Sequence, residues 1–167
     1  MLADLLQSLQ GLDVPQGAEL SFVFVENDVI LSISGLVDDF HKRTGWPARA
    51  VHEPRQGISY ARNAIIDAAT EDGADWLAFI DDDAVPEPTW LKLLIAPFEN
   101  VDIQMVGGQV LGRNGISQQW GQRFLTTWGE SLDTPKQDTV VRTEGTNMAI
   151  RRKTLLHLNG FDPLFSF

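Results

Sequence analysis

The sequence predicts an α/β fold with a largely parallel sheet, on three observations. Short β-rich runs alternate with segments of helical periodicity over the first hundred or so residues. One of these runs, Trp76-Leu77-Ala78-Phe79-Ile80, is continuously apolar and too short for a helix, as expected of a strand buried on both faces. It ends in three carboxylates, Asp81-Asp82-Asp83, and ligands of open α/β sheets bind just beyond the carboxyl ends of the strands.

The elements follow in order. Leu2, Leu5, Leu6 and Leu9 recur at helical spacing, and Gly11 stops that helix. Leu20 to Val25 is a strand that feeds the polar triplet Glu26-Asn27-Asp28. Residues 29–43 form a looser helix closed by Gly45-Trp46-Pro47, and a short strand occupies Ala48–His52. Ser59 stands before a helix over Tyr60–Thr70, with Ala61, Ile65, Ala68 and Ala69 on its apolar face. After the turn Asp72-Gly73-Ala74-Asp75 comes the apolar strand, and Pro86 and Pro88 fix the chain before a helix over Thr89–Phe98. Thr89 is its expected N-cap, and Trp90, Leu91, Leu94 and Ile95 its buried face. Val101–Leu111 reads as a strand containing Gly107-Gly108. Residues 112–138 read as a long functional loop or partial helix, followed by short strands at Thr139–Val141 and Thr146–Ile150 and a helix over Arg152–Leu158 that closes on Asn159-Gly160.

Composition bounds the function. The 167 residues, 43% hydrophobic and 22% charged, suffice for one domain with a core. With no cysteine, disulfide scaffolds, Cys-ligated zinc and thiol catalysis are excluded. A net charge of −10 argues against a nucleic-acid partner, because phosphate backbones are held by clustered Lys and Arg. The first residues show no basic or apolar signal region, and no apolar run approaches the roughly 20 residues of a membrane span. The acidity is local: residues 1–110 hold 18 acidic and 6 basic side chains, residues 111–167 hold 5 and 7.

Asp81-Asp82-Asp83 is the sharpest chemical feature. Two carboxylates 4 Å apart repel by about 4 kcal/mol at an effective dielectric near 20, comparable to the roughly 5–15 kcal/mol that holds a domain together. Three of them at a strand end imply generous solvation or a cation. In an extended segment residues i and i+2 share a face, which pairs Asp81 with Asp83. Hard oxygen ligands suit Mg2+ or Mn2+, whose shells are completed by substrate phosphates and water. A solvated acidic turn is the plainer alternative.

Taken together, Glu26-Asn27-Asp28, Gly57-Ile58-Ser59-Tyr60-Ala61-Arg62-Asn63, Ala78-Phe79-Ile80-Asp81-Asp82-Asp83 with Pro86 and Trp90-Leu91, Gly145-Thr146-Asn147-Met148-Ala149-Ile150-Arg151-Arg152 and Gly160-Phe161-Asp162 resemble the family 2 glycosyltransferases of the GT-A fold. These matches keep the family's order over roughly residues 20–165. The resemblance implies a single, partial glycosyltransferase domain over residues 1–167, with a Rossmann-related mixed, mostly parallel sheet flanked by helices. It implies an inverting, metal-dependent transfer of a sugar from a nucleotide-diphosphate-sugar donor to an acceptor hydroxyl, with Mn2+ or Mg2+ as cofactor.

By the same resemblance, Asp81 and Asp83 fall on the Asp-x-Asp metal motif, and Glu26, Asp28, Arg62 and Asp82 on the nucleotide-sugar site. Gly145, Thr146 and Asn147 fall near the donor sugar or acceptor. Trp120 and Trp128 are candidates to stack on a sugar face, with a core role as the alternative. An ordinary ion pair is the alternative for Arg62, and a turn glycine for Gly57. His41, His52 and His157 have no metal-like spacing.

The departures carry expectations too. The family's first strand would precede residue 1, leaving the Glu26 strand with an unpaired edge that invites pairing with a second copy. The family's Glu-Asp pair, whose Asp is the general base, would lie beyond Phe167, with Asp162 a weak substitute. A positioned base is worth about 10²–10⁴-fold in rate. The competing reading is therefore a truncated, catalytically silent sugar-nucleotide-binding fragment. A third, a phosphotransferase of the haloacid dehalogenase type with Asp81 as nucleophile, lacks the usual Gly-Thr continuation after Asp83. The expected location is cytoplasmic, or peripheral at the inner face of a membrane.

Overall fold

Alternating strands and helices are what the chain builds, as a computed structural model that describes residues 1–108 and 146–165 shows. Helix α1 (Leu2–Leu9) buries Leu5, Leu6 and Leu9, each worth about 1.5–3 kcal/mol of burial. Strand β1 (Phe22–Glu26) follows, then α2 (Ser34–Thr44) and β2 (Ala48–His52). Helix α2 starts five residues later than its periodicity suggests. The Glu26 carboxylate accepts from the backbone N–H of Ser32 and of Ile33 and so holds residues 28–33 as a loop. At its other end Gly45 takes φ 74° and returns its N–H to the His41 carbonyl at 2.8 Å, a left-handed position that glycine takes without a Cβ penalty.

Helix α3 (Ile58–Glu71) begins ahead of Ser59, with Gly57 in the N-cap position at φ 134° and Ser59 buried in the first turn. Strand β3 (Trp76–Ile80) has the bounds expected. Helix α4 (Trp90–Ile95) continues as a 3-10 turn over Ala96–Glu99; Thr89 is its N-cap residue but makes no side-chain cap bond. The strand expected from Val101 starts only at Met105, because Asn100 and Ile103 are held in turns by the carbonyls of Pro97 and Asn100. Strand β4 (Met105–Gly107), strand β5 (Asn147–Arg151), helix α5 (Arg152–His157) and a 3-10 turn (Pro163–Phe165) complete the described elements. The expected loop at 112–138, the strand at Thr139–Val141, and Trp120, Trp128 and Gly145 lie outside the described residues.

The described strands form two sheets, a parallel pair and an antiparallel triplet. β1 and β2 pair in parallel, with Phe22 opposite Ala48 and Glu26 opposite His52. β5 lies between β3 and β4 and is antiparallel to both, with Ile80 opposite Asn147 and Gly107 opposite Met148. Parallel neighbours need a crossover, such as α2 supplies between β1 and β2. Helices cover both faces. Phe22 and Phe24 of β1 and Trp76, Ala78 and Ile80 of β3 pack with α1, Phe40 of α2 and Leu91 of α4. On the opposite face Leu77, Phe79, Met148 and Ile150 pack with Ile66 and Ala69 of α3 and Leu155 of α5.

Candidate functional site

The carboxyl ends of β1, β2 and β3 carry the polar residues singled out from the sequence. At β1 the Glu26 carboxylate accepts from the hydroxyl of Ser32 at 2.7 Å as well as from the two backbone N–H groups. These bonds, the Ser32 hydroxyl first, hold its pKa below the ordinary glutamate value. Asn27 is the hinge of this end. Its amide donates to the carbonyls of Glu53 and Arg55, both at 2.7 Å, and its Oδ1 accepts from Gly57 N–H at 2.8 Å. Asp28 is exposed, accepts from the N–H of Val29, and its carbonyl oxygen lies 2.8 Å from Nε2 of His52.

Glu53, buried just past β2, pairs with Arg55 through Arg55 Nε at 2.9 Å and Nη2 at 2.6 Å. The Arg55 side-chain bonds, with its backbone N–H next, lower the Glu53 pKa to about 2. Arg55 also lies over the Tyr60 ring at 4.7 Å.

At β3 the situation is the reverse. Asp81 is half-buried, Asp82 and Asp83 are exposed, and the chain turns there through Ala84 N–H to the Asp81 carbonyl at 3.2 Å. Burial raises the pKa of Asp81; the charge of Arg62 opposes this, and the charges of Asp83 and Asp82 add to it. Arg62, projecting from the first turns of α3, is itself half-buried, which lowers its pKa against the pull of Asp81. Its guanidinium lies 5.3 Å from the centre of the Phe161 ring. One residue on, Asn63 clasps the Phe161 backbone, donating to its carbonyl and accepting from its N–H, both at 2.8 Å. That clasp sets Asp162 at the edge of the site, exposed, with its carboxylate accepting from the N–H of Leu164.

Antiparallel pairing adds the last part. Asn147 is opposite Ile80, so Thr146 and Asn147 stand beside the strand end that leads into Asp81. Asn147 is buried and its Oδ1 accepts from Trp90 Nε1 at 2.8 Å. Arg62 thus faces Asp81, Asn147 stands beside the Ile80 end of β3, and the Glu26-Asn27-Asp28 end of β1 is tied through Asn27 to Gly57 at the start of α3. Among the described residues no group of three or more carboxylates and imidazoles converges as a ready-made metal cage. The Asn27 bridge, the Glu53–Arg55 pair and the Asn63 clasp had no assigned role in the sequence. The available signal for Asn27 and Asn63 was an Asn at an element end, where its amide can satisfy backbone groups.

Comparison with known proteins gives the family of the chain. The model of the family described as glycosyl transferase family 2 matches residues 2–158. The succinoglycan biosynthesis protein ExoM of Rhizobium meliloti is 33% identical over 114 residues, 68% of this chain and 36% of that protein. The glucosyl-dolichyl phosphate glucuronosyltransferase of Haloferax volcanii is 28% identical over 97% of this chain and 49% of its own length. The chain therefore spans half or less of these relatives. In fold it is similar to the mannosyltransferase PcManGT from Pyrobaculum calidifontis, solved in complex with GDP-Man and Mn2+, with a TM-score of 0.72 at 19% identity, over 96% of this chain and 43% of that one. Among the described residues no helix is long and apolar enough to cross a membrane. Matched by the family over nearly its whole length and sharing the GT-A architecture, the chain belongs to glycosyl transferase family 2.

Proposed function

We propose that the chain binds a nucleotide-diphosphate sugar across the ends of β1 and β3 and takes part in inverting transfer of the sugar to an acceptor hydroxyl. The observation that carries this reading is the half-buried Asp81, whose pKa is raised by burial and by its neighbours Asp83 and Asp82 and which faces the charge of Arg62. Such a site has more carboxylates than the single Arg62 can balance, and their oxygens can hold a cation.

Asp81 and Asp83 fit a divalent ion, because Mg2+ and similar ions take one or two protein carboxylates and leave the remaining positions to phosphates and water. When bound, Mn2+ or Mg2+ supplies neutralisation of the diphosphate and of the charge left on it as the sugar departs. The Mn2+ and GDP-Man of PcManGT support the same choice here. Arg62, half-buried and over the Phe161 ring, orients a diphosphate oxygen. Glu26 and Asp28 shape the nucleoside side, Glu26 chiefly by holding the 28–33 loop. Asp82 adds negative charge next to the metal pair, and Thr146 and Asn147, with Gly145, border the sugar. Trp120 and Trp128 remain the candidates to stack on it.

The test is calorimetric titration of UDP, GDP and dTDP in the presence of Mn2+. Binding of at least one, lost in Asp83→Ala, is expected; no binding of any of them overturns the proposal. A second reading is binding of the nucleotide-diphosphate sugar without transfer. Sugar transfer by the purified 167-residue chain would reject it.

A further inference from the structure

Arg62 and Asn63 are neighbours on α3, so their side chains diverge by about 100° around the helix, yet both end on Phe161. Asn63 holds the Phe161 backbone, through one hydrogen bond to its carbonyl and one from its N–H, both of 2.8 Å. Arg62 meets the ring, with its guanidinium 5.3 Å from the ring centre. The ring is fixed from a third side as well. It meets Phe79 of β3 edge-on, with 5.9 Å between centres and 83° between planes. Phe79 stands two residues before Asp81, and the charge of Asp81 acts on Arg62.

The approach of Phe161 to α3 is built into the backbone. After α5, Asn159 and Gly160 turn left-handed, at φ 56° and 75°, and the Gly160 N–H returns to the Leu155 carbonyl at 2.9 Å. A Cβ on Gly160 would run into Asn63 Oδ1, so glycine leaves the amide room to reach Phe161. Apolar packing already joins Phe161 to α3, against the cluster of Ile66, Ala69, Phe79 and Leu155, but such packing is non-directional. What the clasp adds is direction. One side-chain amide that satisfies both the N–H and the C=O of a single residue fixes the peptide planes on either side of it, and with them its Cα–Cβ bond.

We propose that Asn63 is a positioning residue for Arg62: by clasping the Phe161 backbone it aims the Phe161 ring at the Arg62 guanidinium, and the ring seats that guanidinium facing Asp81. An arginine side chain left in water spreads over many rotamers, and ordering it costs entropy at the moment a ligand binds. An aromatic face within about 6 Å holds the guanidinium beforehand. It does so without using the N–H groups, which lie in the guanidinium plane and stay available to an oxygen anion. The gain for a ligand rests on the reading of Arg62 as the diphosphate contact; the seating of Arg62 does not.

The test has two arms. In the ligand-free 167-residue chain, the NMR signals of the Arg62 Hδ and Hε protons, displaced by the Phe161 ring current, should lose that displacement in Asn63→Ala. Leu9→Ala, which removes buried apolar contact from the cluster on the opposite face, should leave it in place. Unmoved signals in Asn63→Ala, or equal movement in both variants, overturn the proposal. The second arm is Mn2+-dependent affinity for UDP, GDP and dTDP. Asn63→Ala should lower it about tenfold or more where Arg62 is present. In an Arg62→Ala background the same substitution should change nothing further, because a residue that acts through Arg62 has nothing left to position. Equal losses in the two backgrounds would mark the clasp as a plain staple and overturn the proposal. Should Asn63→Ala not fold, Asn63→Asp, which keeps the acceptor for the Phe161 N–H, runs the same cycle. Binding of none of the three diphosphates by the unaltered chain overturns the assignment of Arg62 to a diphosphate, and the NMR arm then decides the seating by itself.

Discussion

The acids at the end of the first sheet and those at the end of the second differ in how the fold meets their charge. Glu26 and Glu53 have their negative charge answered inside the chain, by Ser32, Ile33 and Arg55, and both titrate below the ordinary range. Asp81 is disfavoured in its ionised form by burial, against the pull of Arg62, and further by Asp83 and Asp82, and titrates above it. A carboxylate that accepts several hydrogen bonds is stabilised in its ionised form, whereas burial and neighbouring carboxylates disfavour that form at Asp81. The same strand-end position in one fold thus serves two ends, according to what the following loop offers. After β1 and β2 the loops return backbone N–H groups and an Arg. After β3 the loop returns two more carboxylates.

The largest effect expected from this contrast is on ligand affinity. Asp83→Ala should lower Mn2+-dependent affinity for a nucleoside diphosphate by about a hundredfold or more, since a bound ion stabilises such charge by several kcal/mol. Glu26→Gln, which keeps the loop-holding geometry, should cost much less, and equal losses in the two variants would erase the distinction. Next is stability of the first sheet's end. Asn27→Ala removes three hydrogen bonds and should cost about 2–3 kcal/mol in urea unfolding; a change below about 0.5 kcal/mol would show that the bridge does not hold the loop.

Acid unfolding gives a third, smaller effect. The folded-state pKa of Glu53 lies at about 2 against 4.5 in the unfolded chain, so its contribution is fully present above about pH 4.5 and is lost as pH falls toward 2. Glu53→Gln should flatten that part of the stability profile, and an unchanged acid limb would assign it to other carboxylates. The smallest effect is on the second sheet. Because the Asp81 pKa is raised, its ionised form opposes folding above its unfolded value, and Asp81→Asn should raise the melting temperature of the metal-free chain slightly. A lower melting temperature would show that Asp81 is satisfied in the fold after all.

Much of this was legible from residue order. The run Trp76–Ile80 set its own bounds because a five-residue apolar stretch flanked by a Gly turn and three acids has one physical solution. The candidate metal site was visible for the same reason, since charge set against a buried strand end is a local conflict. The start of α2 was not visible, because it depends on a Glu26 carboxylate reaching six and seven residues ahead. Nor was the Asn27 bridge, whose partners lie 26 to 30 residues away, or the Asn63 clasp on Phe161, 98 residues away.

By itself, then, the sequence determined the alternation of strands and helices, the placing of acids at strand ends and the family to which the chain belongs. Only the tertiary structure decided which acids are spent and which are left exposed to their own repulsion. It also decided that β5 runs antiparallel between β3 and β4. The reason is one of range. Periodicity and capping act over a few residues and can be read along the chain, whereas hydrogen-bond satisfaction and strand pairing depend on which distant segments the packed layers bring into reach.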